Sequence, residues 1–188
     1  MTKLAITRDN LMAVLGLEHS LLQRSEHHSR EERLKKYPLA FEMLQKIRGV
    51  LLLHVNELER HLSSVDGGFE TKLRKTATSF VGTIAYAYER FRTNEPVSRI
   101  LRDDYTLLNH AVITYGMLHT AMLAFHENEI ADMARRHMSD LTSLVVELGE
   151  VIPFVLATEL AEEVRIEGEQ SVARQAVVQY REAWTHRC

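Results

Sequence analysis

Apolar residues recur along this chain at alternating intervals of three and four, the spacing that lays a single stripe along an α-helix. The cleanest run is Leu44, Ile47, Leu51, His54, Leu58, His61 and Val65, which predicts a helix over Leu39–Ser64 stopped by Asp66-Gly67-Gly68. Before it, Leu11, Leu15, Glu18 and Leu22 share a face and predict a helix from Arg8 to Lys36, entered through the N-cap types Thr7, Asp9 and Asn10. The second half of that helix, residues 25–32, is almost wholly polar and is expected in solvent or a loop; Tyr37-Pro38 then breaks the chain. Leu73, Phe80, Ile84, Tyr88 and Phe91 predict a further helix, Phe69–Arg92, ended by Asn94-Glu95-Pro96.

The next stretch, Val97–Phe125, is apolar on most sides and reads as a central helix. Leu101, Leu108, Val112, Tyr115, His119 and Met122 form its seam, with Leu107, His110, Ile113 or Thr114, and Met117 alongside. From Asn128, the residues Ile130, Met133, His137, Leu141, Leu144 and Leu148 share one face, and Gly149 and Pro153 are expected to end or kink that helix. The tail, Phe154 to Trp184, reads as helical, with Val172, Ala176 or Val177, and Tyr180 as its stripe. No strand-like alternation bounded by turn residues occurs, so the fold class is all-α. The expected organisation is a helical bundle over 1–152 and a C-terminal helical extension over 153–188, packed on the bundle or on a partner.

Composition narrows the function more than the fold. Three prolines and eight glycines in 188 residues suit long helices, and 45% apolar residues suffice for a core. A net charge of −3 with both signs interspersed argues against a nucleic-acid partner. Cys188 is the only cysteine, which excludes an internal disulfide and a thiolate metal site and suits a reducing cytoplasm. Met1-Thr2-Lys3-Leu4 does not open a signal peptide, and the apolar run Val50–Leu53 is too short to cross a bilayer, so no membrane association is expected. No nucleophile elbow, phosphate-binding glycine loop or His-Glu-x-x-His motif is present.

The candidate chemistry lies in a histidine pattern that occurs twice. Glu18-His19 is followed by His54-Val55-Asn56-Glu57-Leu58, and Asn109-His110 by His137-Met138-Ser139-Asp140-Leu141. A ring on a helix seam costs free energy unless its nitrogens find partners. Each histidine therefore either bonds a carboxylate or tyrosine, or ligates a metal. His54, Glu57 and His61 lie on adjoining surface of one helix, and His137 and Asp140 repeat the first spacing. Mixed imidazole and carboxylate donors suit iron, manganese or zinc better than calcium or magnesium. His27, His28, His119, His126 and His186 are expected to be exposed or incidental.

Across about residues 8 to 150 the chain resembles the ferritin-like superfamily, closest to its small bacterial stress-associated members. The matching stretches are 17–22, 54–62, 102–116 and 136–140. The resemblance implies an up-down four-helix bundle with one extra internal helix and a C-terminal helix. It matches Glu18 to the family's first-helix acid, and His54, Glu57 and His61 to its second-helix block. On the later helices the pattern departs: Leu108 and Ala111 stand where the family has two acids, and Asp140-Leu141 where it has paired acids. The implied site is degenerate and non-standard, drawn from Glu18, His19, His54, Glu57, His61, His110, His137 and Asp140. It would take iron or manganese or no metal, in a cytoplasmic homodimer with a stress-related role. The alternatives are a metal-free scaffold acting as a binding or assembly module, and a hemerythrin-like bundle, against which Leu58 and Leu141 stand where bridging carboxylates would be.

Overall fold

The computed structural model describes residues 2–66, 95–164 and 166–185. The expected helix Phe69–Arg92, the Gly67-Gly68 stop, Arg165, His186 and Cys188 lie outside the described residues. Within them the chain is all-α. It comprises α1 (Lys3–His28), a short 3-10 helix (Glu32–Lys36), α2 (Pro38–Asp66), α3 (Val97–Ala124), α4 (Asn128–Val164) and α5 (Glu169–Thr185). Helix α1 packs on α2 and α3, α4 packs on the same two, and α5 lies against α4.

Helix α1 begins earlier than expected because Thr2, not residues 7–10, caps it: Thr2 Oγ1 accepts the Ala5 N–H at 3.3 Å. Its polar second half is the larger correction. Arg24, Ser25 and His28 are buried with Asp104 of α3, Arg24 Nε donating to Asp104 Oδ1 at 2.9 Å and His28 Nδ1 standing 3.3 Å from Oδ2. An ion pair with hydrogen-bonded companions lets a charged helix face enter the interior. His28 is therefore buried, while His27 is exposed as expected.

Pro38 opens α2 at a position whose missing N–H would find no partner in any case. Leu44, Ile47, Leu51, His54 and Leu58 are buried as the stripe requires, and Leu62 closes it in place of Val65. In α3 the buried line is Leu101, Asp104, Leu108, Ala111, Tyr115, Leu118 and Met122. Ile113 and Met117 are 66% and 64% exposed, so α3 is not enclosed on all sides.

Helix α4 neither ends at Gly149 nor at Pro153 but runs through both to Val164. Pro153 withdraws one i→i−4 hydrogen bond, yet the buried positions continue through Val155 and Ala157, and packing carries the helix on. The boundary expected at 152/153 thus falls inside a helix. By length and composition α4 could also cross a bilayer, a criterion that the core helix of a soluble protein meets equally; its seam from Ile130 to Leu148 belongs to the common core.

The tail docks on its own chain. Ala173 and Val177 of α5 are buried, and Arg181 forms a paired salt bridge with Glu150, Nε to Oε1 at 2.6 Å and Nη2 to Oε2 at 2.5 Å. Val172, expected in the stripe, is 54% exposed. The Tyr180 ring occupies the space a side chain at Gly149 would need: a Cβ there would stand 2.1 Å from the Tyr180 hydroxyl oxygen. Gly149→Ala will therefore push α5 off α4, at the cost of about 1–3 kcal/mol typical of overpacking. Trp184, the chain's only tryptophan, stacks edge-on to Tyr180 at 6.1 Å and reports the change. Its emission should shift to the red together with a lower urea midpoint; unchanged emission and midpoint would mean the tyrosine steps aside freely.

Candidate metal centre

The three-and-four spacing that builds the core also carries four polar side chains into it. Glu18 follows Leu11 and Leu15 on α1, His54 follows Ile47 and Leu51 on α2, Tyr115 follows Leu108 and Ala111 on α3, and His137 follows Ile130 and Met133 on α4. Their exposures are 0%, 3%, 0% and 2%, so all four have left water and must satisfy one another. Glu18 Oε1 accepts from the Tyr115 hydroxyl at 2.7 Å and lies 3.0 Å from His54 Nδ1. The Tyr115 hydroxyl also meets His137 Nδ1 at 2.9 Å. The imidazoles of His54 and His137 stack face to face, centroids 3.7 Å apart and planes within 5°, and the Tyr115 ring meets His137 edge-on.

The outer nitrogens cross between helices. His54 Nε2 on α2 lies 3.3 Å from Asp140 Oδ2 on α4, and His137 Nε2 on α4 lies 3.0 Å from Glu57 Oε2 on α2. Each histidine is thus completed by the acid that stands three residues beyond the other. Arg136 holds the second oxygen of Glu57, Nη2 to Oε1 at 2.8 Å. Glu57 is half-buried and Asp140 exposed, so the centre opens to solvent between α2 and α4.

Of the eight residues expected at the site, Glu18, His54 and His137 form its buried heart, and Glu57 and Asp140 close its outer side. His61 flanks it, Nε2 reaching 4.0 Å from Glu57 Oε1. His19 does not enter: one residue past Glu18 it has turned about 100° around the helix, and it pairs instead with Glu59 at 3.5 Å. His110 is exposed for the same reason, since its neighbour Ala111 holds the inward position on α3. Of the four histidines in the repeated pattern, His54 and His137 are buried in the centre and His19 and His110 are not. Tyr115 takes the place on α3 that His110 was expected to fill. Its position in the stripe was legible, but a core tyrosine with a satisfied hydroxyl is the commoner case, and its hydrogen bonds to Glu18 and His137 mark it out.

The electrostatics split the two histidines. Burial disfavours the His54 imidazolium, but Glu18 and Asp140 together outweigh it and raise its pKa. Burial and the neighbouring His54 charge hold His137 down at about 4, against the pull of Glu57. Burial raises the Glu57 carboxyl, but hydrogen bonds and charge from His137 and Arg136 prevail and lower it. Burial, reinforced by Glu18, keeps Tyr115 protonated far above the usual phenol range.

The hydrogen bonds join into one chain: the Tyr115 hydroxyl donates to Glu18 and meets His137 Nδ1, while His137 Nε2 meets Glu57. Glu18 Oε2 is buried with no hydrogen-bond partner among the described residues. A cation at this oxygen would supply one. Glu18, His54 and His137 each offer one ligand atom, and those atoms lie within 4.8 Å of one another. Comparison with known proteins adds no further constraint, for no family model, curated protein or solved structure matches the chain.

Proposed function

We propose that the chain is a ferritin-like helical bundle that binds iron or manganese at a non-standard centre made by Glu18, His54 and His137, with Glu57 and Asp140 at its open side. The observation that carries this reading is the buried Glu18 Oε2, which has no hydrogen-bond partner among the described residues, on a carboxylate whose ligand atom lies within 4.8 Å of those of His54 and His137. A buried carboxylate oxygen without a donor is costly, and a metal ion is a partner that returns that cost. Two histidines and one carboxylate with open positions are a donor set that suits non-haem iron(II). The wider set also supports the bundle assignment: di-metal carboxylate bundles take an acid from each of two helices and an acid–histidine pair at i, i+3 from each of the other two. Here α2 and α4 carry such pairs in the order His-x-x-acid, and α1 carries Glu18. A stress-related role and homodimeric assembly follow from the resemblance alone and stand with it.

Ion capture requires a rearrangement. Parallel stacked rings direct their nitrogen lone pairs along parallel lines, so at least one imidazole must rotate about its broad χ2 torsion before both can face one ion. The stack favours a second reading, in which the centre is a hydrogen-bonded clasp in a metal-free scaffold.

Plasma mass spectrometry on protein purified without an affinity tag decides between them. Iron or manganese should accompany the wild-type chain and vanish from the double variant His54→Ala, His137→Ala. Wild-type protein that arrives metal-free and also rejects iron, manganese and zinc on titration would sink the metal reading and leave the scaffold.

A further inference from the structure

The centre is internally two-fold in its connections. Exchanging the pair α1/α2 with the pair α3/α4 carries His54 onto His137 and Glu57 onto Asp140, and it carries the crossed bonds onto each other: His54 to Asp140, and His137 to Glu57. The inner nitrogens obey the same exchange, His54 Nδ1 meeting Glu18 and His137 Nδ1 meeting Tyr115. Only one pair breaks the chemistry. Glu18 on α1 maps onto Tyr115 on α3, a carboxylate onto a phenol.

Resting on the metal reading above, we propose that the centre takes one divalent ion per chain, on the Glu18 side, and that Tyr115 is the residue that withholds a second.

Donors decide the count. Within the buried heart of the centre Glu18 is the one carboxylate, and the phenol of Tyr115 stands at its counterpart position on α3. The Glu18 side has a carboxylate oxygen with no partner among the described residues, whereas the oxygen on the opposite side, that of Tyr115, already meets both Glu18 and His137. Tyr115 is also a positioning residue, because its hydroxyl pins Glu18 Oε1 and leaves Oε2 for the ion.

The test is an anaerobic titration of the metal-free full chain with manganese(II), bound ion being read by loss of the free-ion electron paramagnetic resonance signal. Wild-type protein should saturate at one equivalent, and the bound ion should be magnetically isolated. Tyr115→Phe should keep one equivalent but bind about tenfold more weakly, the usual effect of removing a partner that orients a ligand. Tyr115→Glu restores the missing carboxylate, and its shorter reach leaves room for a metal–oxygen bond of about 2.1 Å. It should take up two equivalents that couple magnetically. Should that variant fail to fold, which circular dichroism reveals, wild-type stoichiometry still decides. Two equivalents in the wild type overturn the proposal while leaving the metal reading intact. A folded Tyr115→Glu protein that stops at one equivalent removes Tyr115 from its role. No uptake by the wild type rejects the metal reading, and this inference with it.

Discussion

Glu18→Ala will cost about 3–5 kcal/mol of stability in the metal-free protein, the range found when one partner of a buried charged pair is removed. Glu18 is fully buried and joins α1 to α2 through His54 and to α3 through Tyr115, so its loss strands a raised-pKa imidazole and a phenol at once. Glu18→Gln keeps an accepting oxygen but removes the charge and puts an amide N–H at the Oε2 position, so it should cost about 1.5–3 kcal/mol, the worth of a hydrogen bond to a charged group. The two variants separate the hydrogen-bonding role of the residue from its charge. Urea unfolding at pH 7 in the presence of a chelator measures both. An alanine variant within about 1 kcal/mol of wild type, the size of a single ordinary hydrogen bond, would show that the four side chains do not act as a network.

Acid will destabilise the metal-free protein through His137 well before the carboxylates protonate. Its pKa is 6.5 when free and about 4 in the folded chain. Between those values the unfolded state holds the extra proton, so stability falls as pH falls. The difference corresponds to about 3 kcal/mol in full, and about 2 kcal/mol once solvent at the open side of the centre is allowed for. His54 acts in the opposite sense and in another window. Its raised pKa gives stability that is complete below pH 6.5 and fades as pH rises through the folded value. Glu57, lowered in the folded state, adds to the acid loss below pH 4.5. Stability should therefore peak near pH 6.5. His137→Gln should flatten the limb between pH 6.5 and 4.5, and a wild-type limb already flat in that range would argue that no neutral imidazole is buried there.

Most of the helices and half of the centre were legible in the sequence, for one reason. Periodicity reports which residues share a face of one helix, and it placed Glu18, His54 and His137 inward correctly. It cannot report which faces meet. His28 looked solvated because the partner that permits its burial, Asp104, stands 76 residues away. His19 and His110 were drawn in by their motif, although each lies one step around the helix from the residue that faces the core. The crossed pairing of Glu57 and Asp140 was out of reach, since i, i+3 spacing suggests that each acid serves the histidine of its own helix. Pro153 misled for a related cause: its local penalty is real, but the buried line running on to Val155 and Ala157 outweighs it.

That crossing has a consequence for how the chain reaches its native state. The first half supplies Glu18, His54 and Glu57, yet the outer nitrogen of His54 is met only by Asp140, and Glu57 is met by His137 and Arg136. Neither half can finish its own polar centre, so an isolated half would bury groups with nothing to bond or would keep them in water by staying open. The halves are bound into one cooperative unit by polar contacts as much as by apolar ones. During synthesis the centre cannot exist until α4 has emerged and docked on α2. An ion held by Glu18, His54 and His137 joins the two halves, so its binding and the docking of α4 are thermodynamically linked.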